Sequence, residues 1–200
     1  TMFFLRSPKD LVISLGAATA LALRGRRKRS LSTSGAVAAF CVGFIRLYSG
    51  NRGILLIAFY QLGSWATKYG ADRKGRMDAG AASGDGERGS QQVLGCSLIA
   101  TVFAACHLVL CGEERPVGFA LYPLESVLAC AIAAHDATCL GDSLASELGM
   151  LSSSPPRLIT TFRRVPPGTN GAVSLIGTAW SAAGGAAIGL VWWLTDAYLS

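Results

Sequence analysis

The sequence predicts an all-α, multi-pass transmembrane helical bundle of about six spans, some of them short. Of its 200 residues, 51% are hydrophobic and only 15% are charged, and the mean hydropathy is +0.42. Soluble domains carry about 25% charged residues, so this chain has too few charges to cover a water-exposed surface. The composition indicates lipid as the solvent and excludes a disordered chain, which needs low hydrophobicity. We expect residues 1–200 to form a single membrane domain.

Six apolar runs, separated by charged or turn-forming residues, mark the expected spans. A helix needs about 20 apolar residues to cross roughly 30 Å of hydrocarbon. The last three runs are long enough, whereas the first and third fall short and require tilting, a thin bilayer or burial inside the bundle. The runs cover residues 11–23, 31–47, 53–66, 93–111, 117–134 and 171–194.

Lysine and arginine are distributed unevenly between the two ends of these spans. Thirteen of the 18 fall in the loops after spans one, three and five, including the basic run from Arg24 to Arg29. Because positive residues accumulate on the side that is not translocated, the polar loops 66–92 and 137–170 are expected to share a cytoplasmic or stromal face. The net charge of +6 then requires no nucleic acid partner. A basic rim of this kind is typical of proteins that meet anionic membrane lipids or a phosphorylated ligand.

The segment from Gly141 to Gly149 carries two carboxylates. If it is helical, Asp142 lies beside Ser146 and Ser143 lies beside Glu147, because residues at i and i+4 are neighbours on a helix. Mg²⁺ binds one or two carboxylates together with phosphate oxygens and water, so Asp142 and Glu147 are candidate metal ligands and catalytic residues. A polar surface helix is the alternative, and spacing alone leaves both interpretations open.

The loop from Ser154 to Gly171 combines proline, glycine and arginine. Thr169 or Asn170 can cap the last span, and the free backbone N–H groups at that helix start form an anion site. Arginine offers planar, bidentate recognition of phosphate. An Asn-Gly turn with arginines at the lipid headgroups is the alternative. The candidate phosphate-binding residues here are Arg163, Arg164, Thr169, Asn170 and Gly171, and Arg157, like Lys68, is a candidate catalytic residue.

These loops together offer carboxylates, arginines, Lys68 and a helix N-terminus on one face. The set suits phosphoryl transfer, in which catalysis is positioning plus charge neutralisation. In this hypothesis Asp142 and Glu147 hold Mg²⁺ on the nucleotide phosphates, and Lys68 and the three loop arginines screen phosphate charge. Residues 169–171 cradle one phosphate, and Ser146 is a further phosphate-binding candidate.

Other features admit both a functional and a structural interpretation. Residues 84–89 spell GxGxxG, but no strand precedes them, which favours a flexible loop over a dinucleotide site. Glu125 and His107 lie within or near the end of apolar runs, where ionisable groups are costly and belong either to a site or to a buried pair. His135 beside Asp136 is a weak indication of metal binding. The six cysteines show no metal or disulfide spacing and are interpreted as small apolar side chains.

Several motifs resemble those of one integral-membrane family, which includes the plastid phytyl-phosphate kinases of tocopherol synthesis and a little-characterised animal transmembrane group. The resemblance covers most of residues 28–189. It implies a nucleoside-triphosphate-dependent kinase, with CTP favoured, that turns phytyl phosphate into phytyl diphosphate, and it suggests a chloroplast envelope location. The motifs are Lys28-Arg-Ser-Leu with Ser34-Gly-Ala, Ser64 to Lys68, Gln92-Val-Leu, Gly141-Asp-Ser-Leu-Ala-Ser-Glu-Leu-Gly, Pro156-Arg-Leu-Ile-Thr-Thr, Val165-Pro-Pro-Gly-Thr-Asn-Gly and Val173-Ser-Leu.

The chain also departs from the family pattern, while Asp142, Glu147, Arg157 and Asn170 match it. The departures bear on substrate fit or nucleotide choice more than on the chemistry. The family usually has Thr-Trp where this chain has Ser143 and Leu144, Ala-Asn-Gly where it has Gly95, Cys96 and Ser97, and Gly where it has Ala172.

The sequence therefore favours a membrane isoprenyl-phosphate kinase whose partners are a nucleoside triphosphate, a lipid phosphate and membrane lipids. The lipid tail is expected between helices rich in small residues. A small transporter or carrier of an anionic lipid phosphate is the rival from another class, although no convincing internal repeat supports it. A non-catalytic membrane scaffold is the third interpretation. The oligomeric state, the isoprenoid length and the nucleotide stay open.

Overall fold

The computed structural model describes residues 7–77 and 87–199, and this part of the chain is an α-helical bundle. Six long helices occupy the six apolar runs, so the predicted all-α fold class is confirmed. A short helix, α4, follows the third, and a small antiparallel pair of strands precedes the last. The elements are α1 Pro8–Arg27, α2 Thr33–Ser49, a 3-10 turn Asn51–Gly53, α3 Ile54–Lys68, α4 Ala71–Met77, α5 Ser90–Leu110, α6 Pro123–Gly149, β1 Arg157–Leu158, β2 Ala172–Val173 and α7 Leu175–Leu199.

Local sequence explains where several helices begin. Proline is favoured in the first turn of a helix, where its missing N–H removes no hydrogen bond, and Pro8 and Pro123 open α1 and α6. Ser32 caps α2 by accepting a hydrogen bond from the Gly35 N–H at 3.1 Å. Ser174 does the same before α7, where its Oγ accepts from the Gly177 N–H at 3.0 Å. The expected cap at Thr169 or Asn170 is therefore wrong, because β2 intervenes and α7 begins only at Leu175.

Three of the helices are long and apolar enough to cross a membrane individually: Ser90–Leu110, Pro123–Gly149 and Leu175–Tyr198. The shorter apolar helix Thr33–Ser49 reaches 17 residues. Helices of this length need a thin bilayer or protein neighbours, as expected from the lengths of the apolar runs.

The fifth apolar run was expected to end before His135, but α6 continues to Gly149. The continuation is possible because Asp136, which looks like a polar stop in the sequence, is fully buried and bonded to Arg46 on α2. The Arg46 Nη1 and Nη2 atoms lie 3.2 and 2.5 Å from the two carboxylate oxygens of Asp136. Residues 137–149, expected as part of a loop, are therefore helical, and the following connection starts at Met150.

Helix α6 is the centre of the bundle, since it packs against α3, α5 and α7, while α2 packs against α1 and α5. The α6–α7 contact is close because glycines face each other: a Cβ on Gly184 would lie 2.9 Å from the Gly141 Cα, and one on Gly149 would lie 2.9 Å from the Gly177 Cα. Small residues at such points let membrane helices approach.

Three connections lie at one end of the bundle: α1 to α2, α3 to α5, and α6 to α7. We call this the basic end. Arg26 there lies 3.0 Å from Glu87. At the opposite end, the Arg52 Nη2 forms an ion pair with Asp196 at 2.9 Å, and the backbone N–H of Arg115 donates a hydrogen bond to Glu125 at 2.6 Å. Glu125 also lies 3.6 Å from the His107 Nε2. Glu125 and His107, expected as candidate intramembrane groups, thus belong to a polar network at the end away from the basic loops.

Candidate active site

The last turns of α6 present Asp142 and Ser146 on an exposed side of the helix. Their i, i+4 spacing places them one turn apart, and the Ser146 Oγ donates to the backbone oxygen of Asp142 at 2.8 Å. No hydrogen bond or ion pair reaches the Asp142 carboxylate from the described residues. This carboxylate is therefore available to a ligand.

Glu147 lies on another side of the same helix and is held by two partners. Its Oε2 is 2.7 Å from the Lys74 Nζ, and its Oε1 accepts from the Thr67 hydroxyl at 2.9 Å. Lys74 is only 7% exposed and also donates to the Ala66 backbone oxygen at 2.7 Å. The Glu147 carboxylate thus has a partner on each oxygen, and its contacts link α6 to α3 and α4.

Arg88 joins this cluster from the segment before α5. Its Nη2 donates to the Thr67 Oγ1 at 2.7 Å. Its backbone is fixed between Ser30 and Ser32, because its N–H donates to the Ser30 oxygen at 3.0 Å and its oxygen accepts from the Ser32 N–H at 3.1 Å. The loop from α1 to α2 therefore positions the guanidinium at the end of α3.

An apolar cavity of about 280 Å³ lies among α1, α2, α3, α5 and α6. Its charged lining residues are Arg88, Asp142 and Glu147, and Ser146 lies beside Asp142. A cavity with mostly apolar walls and a few polar groups is typical of small-molecule sites. Its other lining residues are Leu21, Leu31, Ala39, Val42, Gly43, Leu56, Ile57, Phe59, Tyr60, Gln92, Val93, Cys96, Ser97 and Ser143.

A second, more polar cleft of about 750 Å³ lies between the end of α6, the start of α7 and the loop that joins them. The predicted anion-binding residues Thr169, Asn170 and Gly171 line it together with Asp142 and Ser146. Asp142 and Ser146 therefore border both the apolar cavity and the polar cleft. Glu147 borders the apolar cavity but not the polar cleft.

The remaining predicted cations lie elsewhere. Three arginines on the connection between α6 and α7 are exposed and line neither cavity: Arg157, Arg163 and Arg164. Arg157 pairs through the backbone with Val173, and its Nη1 donates to the Phe162 oxygen at 2.9 Å. Lys68 is exposed at the end of α3 and lines a different cleft. The structure does not bring these four residues to the carboxylates.

The donor set tests the expected Mg²⁺ site. Within residues 7–77 and 87–199 no group of three or more histidine, cysteine, aspartate or glutamate side chains could hold a metal ion. Asp142 fits the alternative in which Mg²⁺ is held by one carboxylate with phosphate oxygens and water. Glu147 fits less well, because Lys74 and Thr67 already occupy both of its oxygens. His135 and Asp136 do not form a metal pair, since Asp136 is bonded to Arg46.

Sequence reasoning missed Lys74 and Arg88 as site residues and counted both only as topology charges. Neither stands in a motif that distinguishes it from nearby basic residues, although Arg88 lies inside the GxGxxG pattern at 84–89. Residues 84–86 of that pattern lie outside the described residues. The proximity of Arg88 to Leu31, with which it forms an isolated bridge, could not be read from spacing.

The helices, the apolar cavity and the buried ion pairs define a multi-pass α-helical integral membrane protein. The chain belongs to the family described as integral membrane protein DUF92, whose model matches residues 16–199. The family resemblance of the sequence motifs and the expected integral-membrane location are thereby confirmed.

Curated relatives share similarity over most of the chain. Protein PGR of Arabidopsis thaliana is 37% identical over 90% of this chain and 63% of its own length. Protein VTE6, chloroplastic, of the same plant is 34% identical over 74% of this chain and 42% of its own length. An uncharacterized membrane protein of Methanocaldococcus jannaschii is 34% identical over 92% of this chain and 71% of its own length. The chain thus spans less than two thirds of either plant relative, and no solved structure matches it.

Proposed function

We propose that this chain forms the catalytic domain of a membrane isoprenyl-phosphate kinase. It would transfer a phosphoryl group from a nucleoside triphosphate, with CTP favoured, to phytyl phosphate and release phytyl diphosphate. One observation carries the proposal: Asp142 and Ser146 border both an apolar cavity among the helices and a polar cleft beside the α6–α7 connection. A lipid tail fits the first and a nucleotide fits the second, and their phosphates would meet at these two residues.

The chemistry needs charge control more than a strong base. A phosphate monoester has its second pKa near 6, so the acceptor oxygen is already anionic at neutral pH. The acceptor oxygen forms a bond to the γ-phosphorus, the bond from that phosphorus to its bridging oxygen breaks, and a nucleoside diphosphate leaves. Repulsion between two polyanions is then the main barrier, and positioned positive charge lowers it.

On the lipid side, Arg88 is the cation suited to the acceptor phosphate. Its guanidinium lines the apolar cavity and contacts Thr67, and arginine binds phosphate with two parallel hydrogen bonds. Lys74 would act indirectly, because its ion pair with Glu147 fixes the end of α6 that carries Asp142. Glu147 is accordingly assigned a positioning role in place of the metal-binding role expected from the sequence.

On the nucleotide side, Asp142 would hold Mg²⁺ together with phosphate oxygens, and the ion when bound neutralises phosphate charge. Thr169, Asn170 and Gly171 line the same cleft. Ser174, which precedes the first residue of α7, also lines it, and backbone N–H groups at a helix start favour anions. The exposed Arg157, Arg163 and Arg164 belong to the same connection and are candidates for contact with a nucleotide once it is bound.

The identity of the substrates rests on similarity to other proteins. The motif resemblance to phytyl-phosphate kinases supports the isoprenoid acceptor and CTP, and the name of the relative VTE6 describes that protein as chloroplastic. We propose the chloroplast envelope as the location on the same basis. Because the chain spans only part of the plant relatives, the activity is proposed for the protein that contains it.

The test is an assay of the purified protein in lipid nanodiscs with phytyl phosphate, Mg²⁺ and each of four nucleoside triphosphates in turn. We expect phytyl diphosphate by mass spectrometry, with CTP as the best donor. Asp142→Asn should lower kcat by roughly a hundredfold or more, as for loss of a key electrostatic group. Asp72→Asn, which removes an exposed carboxylate from α4, is the matched control and should leave kcat unchanged.

Absence of diphosphate with every nucleotide would overturn the kinase proposal. Full activity in Asp142→Asn would overturn the catalytic role assigned to Asp142 and to the junction of the two cavities. Movement of labelled phytyl phosphate across proteoliposomes without nucleotide turnover would identify the chain as a carrier.

A further inference from the structure

A second group of cations lies at the basic end, between the ends of α1 and α3. Arg24, Lys28 and Lys68 line a cleft of about 160 Å³. Its other lining residues are Ser30, Tyr60, Gln61, Ser64 and Trp65. Tyr60 is the only one of these that also lines the apolar cavity, and none lines the cleft at Thr169. This basic cleft is thus distinct from the site at Asp142.

The positive charge of the basic cleft is uncompensated within the described part of the chain. Among residues 7–77 and 87–199, Arg24, Lys28 and Lys68 form no ion pair and no side-chain hydrogen bond, and no carboxylate from these ranges lines the cleft. Other basic residues nearby are paired, for example Arg26 with Glu87 at 3.0 Å and Lys74 with Glu147 at 2.7 Å. Like charges that share a cleft repel one another and together attract an anion.

Ser64 provides a second, independent indication of a ligand. Its Oγ is shielded from solvent and has no hydrogen-bond partner among the described residues. A shielded hydroxyl without a partner is costly, so a group that hydrogen-bonds to it is favoured. Ser64 lies one helical turn before Lys68 on α3, so both residues are on the face of the helix that lines the basic cleft.

Size and surroundings indicate which phosphate compound fits. A volume of about 160 Å³ is below the roughly 300–1,000 Å³ of sites for drug-sized ligands, so a single phosphate fits better than a nucleoside triphosphate. Trp65 at the edge is 47% exposed, and its ring lies 5.5 Å from Tyr69 and 6.3 Å from Trp180. Aromatic groups of this kind are enriched where a membrane protein meets lipid headgroups.

We propose that Arg24, Lys28, Lys68 and Ser64 form a binding site for the phosphate of an anionic phospholipid, separate from the proposed reaction site. The bound headgroup would connect α1, which packs chiefly against α2, to α3. The inference does not depend on the proposed kinase activity, since it concerns different residues and needs no nucleotide.

The test measures lipid retention by native mass spectrometry after purification in mixed micelles of phosphatidylcholine and phosphatidylglycerol. We expect the unmodified protein to retain phosphatidylglycerol in preference to phosphatidylcholine. The variant Arg24→Gln/Lys28→Gln/Lys68→Gln should retain it roughly a hundredfold more weakly, given the usual contribution of three basic residues near an anionic lipid.

The matched control removes the same charge from the same end of the bundle. Arg27→Gln/Arg29→Gln/Arg73→Gln changes three exposed residues that do not line the basic cleft and should leave retention within about twofold. Equal loss in both triple variants would show diffuse surface attraction and overturn the proposed site, as would no preference for phosphatidylglycerol in the unmodified protein.

Two further measurements complete the test. If the triple variant fails to fold, the single variant Lys68→Gln at an exposed position replaces it, with about fivefold weaker retention expected and unchanged retention contradicting the site. Competition by soluble glycerol phosphate in place of phosphatidylglycerol would support the site and identify a free phosphate compound as its ligand. Absence of such competition, with lipid retention intact, would identify the lipid headgroup.

Discussion

Lys74 on α4 and Glu147 on α6 form an ion pair across 73 residues of sequence, with the Nζ 2.7 Å from Oε2. Lys74 is 7% exposed and has no other carboxylate partner among the described residues. A buried charge is tolerated when it is paired and hydrogen-bonded. The pair therefore fixes the short helix α4 to the end of α6, one turn beyond Asp142.

A double-mutant cycle measures this pair. Lys74→Met should lower the free energy of unfolding by about 1–3 kcal/mol, because it leaves the half-buried Glu147 carboxylate without its cation. Glu147→Gln should cost a similar amount, and the double variant should cost less than the sum, with a coupling energy of about 0.5–3 kcal/mol. Unfolding in mixed micelles is the measurement, and Arg73→Met, at an exposed neighbour on α4, is the control. Strict additivity would contradict the assigned contact.

Arg88→Gln should weaken use of the lipid phosphate selectively. Loss of a hydrogen bond to a charged group costs about 1.5–3 kcal/mol, so we expect the KM for phytyl phosphate to rise about 10- to 100-fold. The KM for the nucleotide should stay unchanged, because Arg88 lines the apolar cavity and not the polar cleft. Thr67→Val, which removes the residue that Arg88 contacts, separates loss of that contact from loss of the guanidinium. Equal increases in both KM values would argue against Arg88 as the acceptor ligand.

The departures from the family pattern should alter the lipid preference more than the nucleotide preference. Cys96, Ser97 and Ser143 line the apolar cavity, whereas Ala172 lines the polar cleft. We expect Cys96→Asn/Ser97→Gly to change the ratio of kcat/KM between long and short isoprenyl phosphates by up to about tenfold, the scale of small pocket changes. Ala172→Gly should change the ratio between nucleotides instead. The reverse pattern would show that the two cavities have been assigned to the wrong substrates.

Asp136→Asn should be among the most destabilising single substitutions. It removes one partner of an ion pair whose side chains are each 1% exposed, and breaking such a pair costs about 3–5 kcal/mol. Arg46→Met/Asp136→Leu should recover much of that loss, because apolar side chains of similar volume need no partner. The measurement is unfolding in micelles, with Asp142→Asn as the exposed comparison. An unchanged free energy of unfolding in Asp136→Asn would mean that the pair does not stabilise the bundle.

Apolar runs were sufficient to predict the six long helices, because a long run of apolar residues marks a segment that lies in lipid or in the protein interior. The length of α6 was not predictable in the same way. Asp136 reads as the end of a span unless its partner Arg46, 90 residues away, is known. A polar residue that is paired inside the bundle looks the same in sequence as one that faces water.

In the candidate site too, some positions follow from the sequence and others depend on partners that are distant in sequence. Asp142 and Ser146 on α6 and residues 169–171 of the following connection line one cleft. Lys68 was expected at the site from the sequence, yet the lysine that reaches Glu147 is Lys74, six residues later on the separate helix α4. The sequence shows how many charged residues a segment has, but only the folded structure shows which of them form ion pairs.

Asp142 and Ser146 lie between two cavities, and the proposed ligand of the first is dissolved in lipid, whereas that of the second is dissolved in water. A molecule in the apolar cavity comes from the bilayer, where abundance is a number of molecules per lipid. A molecule in the polar cleft comes from water, where abundance is a number per litre. Adding empty phospholipid dilutes the first and leaves the second unchanged, so a reaction at these two residues would follow the mole fraction of one substrate and the molarity of the other.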